Sequence, residues 1–188
     1  MKFVKSSVAM AIGICCSATQ ALAADGEISF VGKVTANTCS AAITDVNGGA
    51  AGSVNMGNIS ALSLAKAGDT AGAAAFKLSL VAPTVEEGGT SSCDLAQGTA
   101  TVRFMSMNGA AGPSGEWVGL TGAGDVGVAK NVAIQIRDAT GNVVAMGQDS
   151  ASYTDLSQPM RFTANYIATG VATAGKADAK AAFSIDYK

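Results

Sequence analysis

Apolar and polar residues alternate with a period of two through several short stretches of the chain, and clusters of turn residues separate those stretches. The last stretch is the clearest. From Ala177 onward, Ala177, Ala179, Ala181, Phe183, Ile185 and Tyr187 share one side of an extended chain, while Asp178, Lys180, Ser184, Asp186 and Lys188 share the other. Side chains along a strand point alternately to its two faces, so this pattern predicts a β-strand with one face in a core. Near the other end, ADGEISFVGKV puts Gly26, Ile28, Phe30, Gly32 and Val34 on one face of a strand over Glu27 to Val34. In between, the same rule predicts strands over Ala75 to Val81, Thr99 to Met107, Asn131 to Arg137, Asn142 to Met146 and Met160 to Ile167, and a weaker one over Ser53 to Ile59.

Turn chemistry joins these strands. In NVAIQIRDATGNVVAM, Val132, Ile134 and Ile136 share a face and Asp138-Ala139-Thr140-Gly141 supplies the reversal, which reads as a β-hairpin. Pro83 to Ser92 (PTVEEGGTSS) has no periodicity and reads as an exposed loop, and Ser60 to Ala67 reads as a short turn of helix. Many short strands with few helical signals predict an all-β sandwich. The terminal strand raises a question of pairing. A strand so apolar on one face normally has neighbours on both sides, yet the sequence stops one residue after Tyr187. The two strongly alternating end strands either close a sandwich within one domain or find partners in other chains.

The first residues change the picture of where this happens. Lys2 and Lys5 precede an apolar run and then Ala21-Leu22-Ala23, the pattern of a cleavable secretory signal over residues 1–23. Removing it leaves 165 residues, one ordinary domain, and moves the net charge from −2 to −4. Nothing in that charge attracts nucleic acid or anionic lipid. Cys39 and Cys93 then remain in an oxidising compartment and are expected to pair as one disulfide, whose loop closure contributes roughly 4 kcal/mol.

Chemistry finds little to work with. The chain has no histidine, which excludes the usual Ser-His-Asp and Cys-His constellations and leaves no close cluster of metal ligands. Gly122 to Gly127 (GAGDVG) fits the spacing of a dinucleotide loop, but the segment after it, VAKNVAIQI, reads as a strand rather than the helix that would face a pyrophosphate. The adjacent carboxylates Glu86 and Glu87 read as a solvated pair, and the single Trp117 as packing rather than a sugar-stacking platform. No enzyme activity and no cofactor are expected.

The motifs GxISFxGxVxxNTC near the start, GDTAG followed by AFKLSL, the VAIQIRDATG hairpin and the ending RFTANYIATGVATAGKADAKAAFSIDYK resemble the pilins of the bacterial chaperone-usher pathway, in the type 1 fimbrial major pilin family. The family's penultimate aromatic residue and its glycine fourteenth from the C-terminus correspond to Tyr187 and Gly175. The loop Pro83 to Ser92 departs from the family pattern, in which the strand before the second cysteine runs directly into it. The resemblance implies an incomplete immunoglobulin-like sandwich, residues 37–188, that lacks its last strand beside Gly175 and Ala177 to Tyr187. It also implies a donor extension, residues 24–36, carrying Gly26, Ile28, Phe30, Gly32 and Val34. Its partners would be a periplasmic chaperone, an outer-membrane usher and other fimbrial subunits, and its destination a cell-surface fimbrium used in adhesion. Burying Ile28, Phe30 and Val34 in a neighbour would contribute on the order of 5 to 9 kcal/mol before binding costs. The competing expectation is a self-contained secreted sandwich that binds carbohydrate and closes its own sheet.

Overall fold

The computed structural model describes residues 39–45, 52–81 and 98–188, all within the unit Ala36–Lys188. The expected strand Glu27 to Val34, the loop Pro83 to Ser92 and Cys93 lie outside the described residues. Among the described residues eight strands are seen: β1 (Ser40–Asp45), β2 (Thr70–Val81), β3 (Ala100–Ser106), β4 (Ala110–Ala111), β5 (Trp117–Val118), β6 (Val132–Asp138), β7 (Met160–Ala168) and β8 (Ala181–Tyr187). No α-helix occurs among the described residues. They form a six-stranded sheet, ordered β1-β2-β7-β6-β5-β4, and a two-stranded sheet of β3 and β8. Every ladder is antiparallel.

Period-two patterning puts the core between the sheets. Phe76, Leu78 and Leu80 of β2, Ile136 of β6 and Met160, Phe162 and Ala164 of β7 meet Ala100, Val102 and Phe104 of β3. Three rings knit the two layers. Phe76 stacks on Phe162 with centroids 5.4 Å apart, and Phe104 meets Phe162 edge-on at 5.1 Å. Such pairs add about 1 kcal/mol each beyond the area they bury. On the opposite face of β6 and β7, Gln135 and Asn165 are buried as a cross-strand pair, with Asn165 Nδ2 donating to Gln135 Oε1 at 3.5 Å.

Four expectations need correction. Ser53 to Ile59 forms no strand. Val54, Met56 and Ile59 do pack on the core, but Asn55 Oδ1 accepts the Gly57 N–H and Gly57 turns with φ 66°, which breaks any ladder. The segment lies across β2 at a bulge between Ala71 and Ala74, where a Cβ on Gly72 (φ 68°) would come within 2.9 Å of Ile59 Cγ2. Asn142 to Met146 is only a short return arm, with Val144 N–H donating to Ile136 and then Met146 N–H turning away to Glu116. The terminal strand is regular only from Ala181, because Lys176 to Lys180 is held by loops rather than by a strand. The helical turn is smaller than expected, a single 3-10 turn over Ala61–Leu64 capped by Ser60.

Candidate functional site

Backbone pairing of β8 defines the site. On one side it runs against β3, with Ala100 opposite Tyr187 and Ser106 opposite Ala181. β3 is closed on its other edge by residues 147–153, through Gly147 N–H to Phe104, Ser150 N–H to Val102 and a reciprocal pair between Ala100 and Tyr153. Arg103 reinforces that closure, its Nη2 2.7 Å from Asp149 Oδ1. β8 has no such second neighbour among the described residues.

The hydrogen-bond phase shows which groups that leaves. Lys188 and Thr99 exchange N–H and C=O bonds of 2.8 and 3.2 Å, and Met107 N–H donates to Lys180 at 2.9 Å. In an antiparallel ladder, bonded and non-bonded pairs alternate. Ala182, Ser184 and Asp186 therefore spend their backbone groups on β3, while those of Ala181, Phe183, Ile185 and Tyr187 point to the other side. The phase continues upstream. Asp178 accepts from Thr121 at 2.7 Å, and Lys176 bonds both Ala129 and Gly127 at 2.9 and 2.8 Å. Even-numbered residues from 176 to 188 thus face neighbours within the described chain. The odd-numbered ones, including Ala177 and Ala179, face away from them.

Of those odd positions, Ala177, Ala179, Phe183 and Ile185 are half-covered, while Ala181 and Tyr187 are exposed. Ala179, Phe183 and Ile185 pack on the core without being sealed by it, and Tyr187 remains 36% exposed. Burial raises the Tyr187 phenol above its ordinary pKa and keeps it neutral. An edge of this kind has both unspent backbone groups and unfinished apolar burial, the two features that strand addition uses.

A cavity of about 390 Å³ opens at the upstream end of this edge, lined among others by Ile59, Leu64, Val132, Tyr166, Gly175 and Ala177. Gly175 fits there because the chain passes very close to the 128–129 backbone. A Cβ at Gly175 would lie 2.4 Å from Ala129 N and 2.6 Å from Val128 C. The Tyr166 phenol beside the cavity is pushed up by burial and by the charge of Asp178. Gly175 and Ala177 to Tyr187 follow one another along this edge, whereas the cavity has no local signature in the sequence, being assembled from separate segments.

The remaining candidates fall elsewhere. Cys39 is disulfide-bonded and packs on the core. Gly26, Ile28, Phe30, Gly32, Val34 and Cys93 lie outside the described residues. The glycine loop at 122–127 forms successive turns leading into β6, without a helix behind it. Trp117 belongs to β5 and sits half-buried over Gly112.

A two-sheet immunoglobulin-like sandwich is the fold of a pilin. Residues 28–188 match the family model described as fimbrial protein. The chain is 32% identical over 168 residues to a fimbrial subunit type 1 of Klebsiella pneumoniae, covering 87% of this chain and 84% of that one. It is 30% identical over 198 residues to the type-1 fimbrial protein A chain of Escherichia coli strain K12, spanning the whole of both. Among solved structures, a type I fimbria protein of Burkholderia pseudomallei superposes with a TM-score of 0.52 at 27% identity, covering 80% of this chain and 100% of that one. The P pilus rod subunit PapA shares the fold at a TM-score of 0.55 and 20% identity, with 80% and 99% coverage. The chain belongs to the fimbrial protein family and is a structural subunit of the chaperone-usher type.

Proposed function

We propose that this subunit polymerises by donor-strand exchange. The extension of one copy, with Gly26, Ile28, Phe30, Gly32 and Val34 on its apolar face, adds to the edge of β8 in the next. A periplasmic chaperone first lends a strand to that edge, and the outer-membrane usher is where the next subunit replaces it. Repetition of a head-to-tail contact that does not close on itself yields a filament, here a fimbrium on the cell surface that serves adhesion.

The observation that carries this reading is the phase of β8. Backbone groups of Ala181, Phe183, Ile185 and Tyr187 face away from β3, and among these positions Phe183 and Ile185 pack half-buried on the core while Ala181 and Tyr187 are exposed. A donor with period-two apolar residues would satisfy both in one register: main-chain bonds give affinity and alternate side chains give specificity. Gly32 in the middle of that donor face suits a point where the acceptor leaves little depth.

The test is Gly32→Leu. The extension is outside its own domain's core in this reading, so the variant folds, forms its disulfide and binds chaperone, but overpacks the groove of the preceding subunit. Mutant subunits then accumulate as chaperone complexes, and the ladder of heat-resistant multimers disappears from gels. A normal ladder refutes the donor assignment, while loss of folding favours a strand that closes its own sandwich.

A further inference from the structure

Seven large apolar residues are notably exposed among the described ones, and three of them are chain neighbours of the cavity lining at the upstream end of β8: Leu62 follows Ala61, Val171 precedes Ala172 and Val126 stands three residues before Ala129. Leu62 is 87% exposed, Val171 is 69% exposed and Val126 is fully exposed. Backbone bonds lace their three segments together. Leu64 C=O accepts from Ala172 N–H at 3.1 Å, joining the 3-10 turn to the 169–176 loop. Lys176 N–H donates to Gly127 at 2.8 Å and Thr173 N–H to Lys130 at 3.2 Å, joining that loop to the 122–130 loop. Each exposed residue lies within two positions of one of these bonds. Single exposed apolar side chains are ordinary, but three on segments bonded to one another beside a cavity point to an interaction surface.

We infer that this rim, Leu62, Val126 and Val171, is a second contact surface, and that its partner is the folded body of the neighbouring copy. The inference rests on the donor-strand reading and adds a contact outside the groove. Every ladder of the described sandwich is antiparallel, so a donor that completes it runs opposite to β8. Val34 of the donor then lies toward Ala177, at the cavity end. Cys39, where the donor's own folded domain begins, is only five residues beyond Val34. Five residues reach at most about 17 Å. The donor's body is therefore tethered beside the end of the acceptor that carries the exposed rim, and covering Leu62, Val126 and Val171 is the apolar gain available to it there.

The experiment compares two probes on one acceptor, the mature subunit released from its chaperone complex. One probe is a synthetic peptide of residues 24–36, which has the donor strand but no body. The other is a whole second subunit. Leu62→Asp with Val126→Asp is made in the acceptor, and Val126→Ser alone, at a fully exposed loop tip, serves where the double variant is poorly folded. The variants are expected to bind the peptide as the wild type does, yet to release a whole subunit about tenfold faster in moderate urea, as interface substitutions act mainly on dissociation. Equal release rates for variant and wild type overturn the rim assignment while leaving the donor strand standing. Normal peptide binding with reduced recovery of chaperone complex also overturns it, by assigning the rim to the chaperone. A wild-type acceptor that fails to take the peptide sinks the donor-strand reading, and the rim proposal with it.

Discussion

Gly175→Ala adds a single methyl group, and the structure gives the expected cost. The new Cβ would sit 2.4 Å from Ala129 N and 2.6 Å from Val128 C, both backbone atoms that cannot rotate out of the way. Either residue 175 or the 128–129 segment must move. Both bonds of Lys176, accepting from Ala129 at 2.9 Å and donating to Gly127 at 2.8 Å, lie next to the clash. Overpacking costs about 1 to 3 kcal/mol and each weakened bond about 1 kcal/mol, so a total of roughly 2 to 5 kcal/mol is expected. With a urea slope near 2 kcal/mol/M, the unfolding midpoint falls by about 1 to 2.5 M. Trp117 is the chain's only tryptophan, and the donor peptide of residues 24–36 has none, so its fluorescence reports unfolding of the peptide-saturated subunit directly. An unchanged midpoint, with unchanged peptide affinity, would mean that the close approach at Gly175 is not what holds the upstream end of β8 in place.

Other outcomes rest on the same geometry. Asp138 is buried, and burial alone would raise its pKa, but bonds from the Thr140 hydroxyl and from the N–H groups of Ala151, Thr140 and Asn142 outweigh it and bring the net value below 3.8. A carboxyl depressed in the folded state stabilises above its unfolded pKa and loses that contribution as pH falls through the folded value. The urea midpoint of the peptide-saturated subunit should thus drop as pH is lowered below about 4, and drop less steeply in Asp138→Asn. Tyr187→Asp places an unpaired charge at the exposed end of β8, where a donor strand would cover it, at a cost to that contact of roughly 3 kcal/mol. Normal fibres and normal periplasmic levels of that variant would contradict the assigned edge. Free-thiol labelling of the native mature protein should find neither Cys39 nor Cys93 reactive, and two reactive thiols would remove the disulfide.

Period-two alternation made β3 and β8 legible because each has one face toward the core and one largely outside it, and β6 and β7 legible because apolar and polar residue types alternate even though their second faces are also largely buried, as at Gln135 and Asn165. Where that contrast fades, so does the signal. Ser40–Asp45 (SAAITD) pairs along the whole of its length with β2, yet its small and polar residues gave no pattern to read. β4 and β5 are two residues each, too short to show a period. At Ser53 to Ile59 the apolar residues do reach the core, as their spacing suggests. What overrode the strand was local: the Asn55 side chain and the positive φ of Gly57 make a turn that a period count does not register. The candidate edge was visible from Ala177 to Tyr187 for the same reason that β8 is half-buried. Which of its backbone groups face outward depends on its phase against Thr99 and Met107, some eighty residues earlier in the chain, and only the fold sets that. The cavity and its exposed rim depend on three distant loops converging, so no stretch of sequence announces them.

The central claim is that the outward groups of β8 are spoken for by the next subunit's residues 24–36. Residue-resolved amide hydrogen exchange on the subunit, with and without that peptide at saturation, tests it most directly. Without peptide, the amides of Ala182, Ser184 and Asp186 should already be protected by β3 and those of Ala181, Phe183, Ile185 and Tyr187 should exchange fast. Adding peptide should slow the second group and change the first much less. Protection of both groups in the absence of peptide, or no gain at the odd-numbered amides when it is added, would contradict the account.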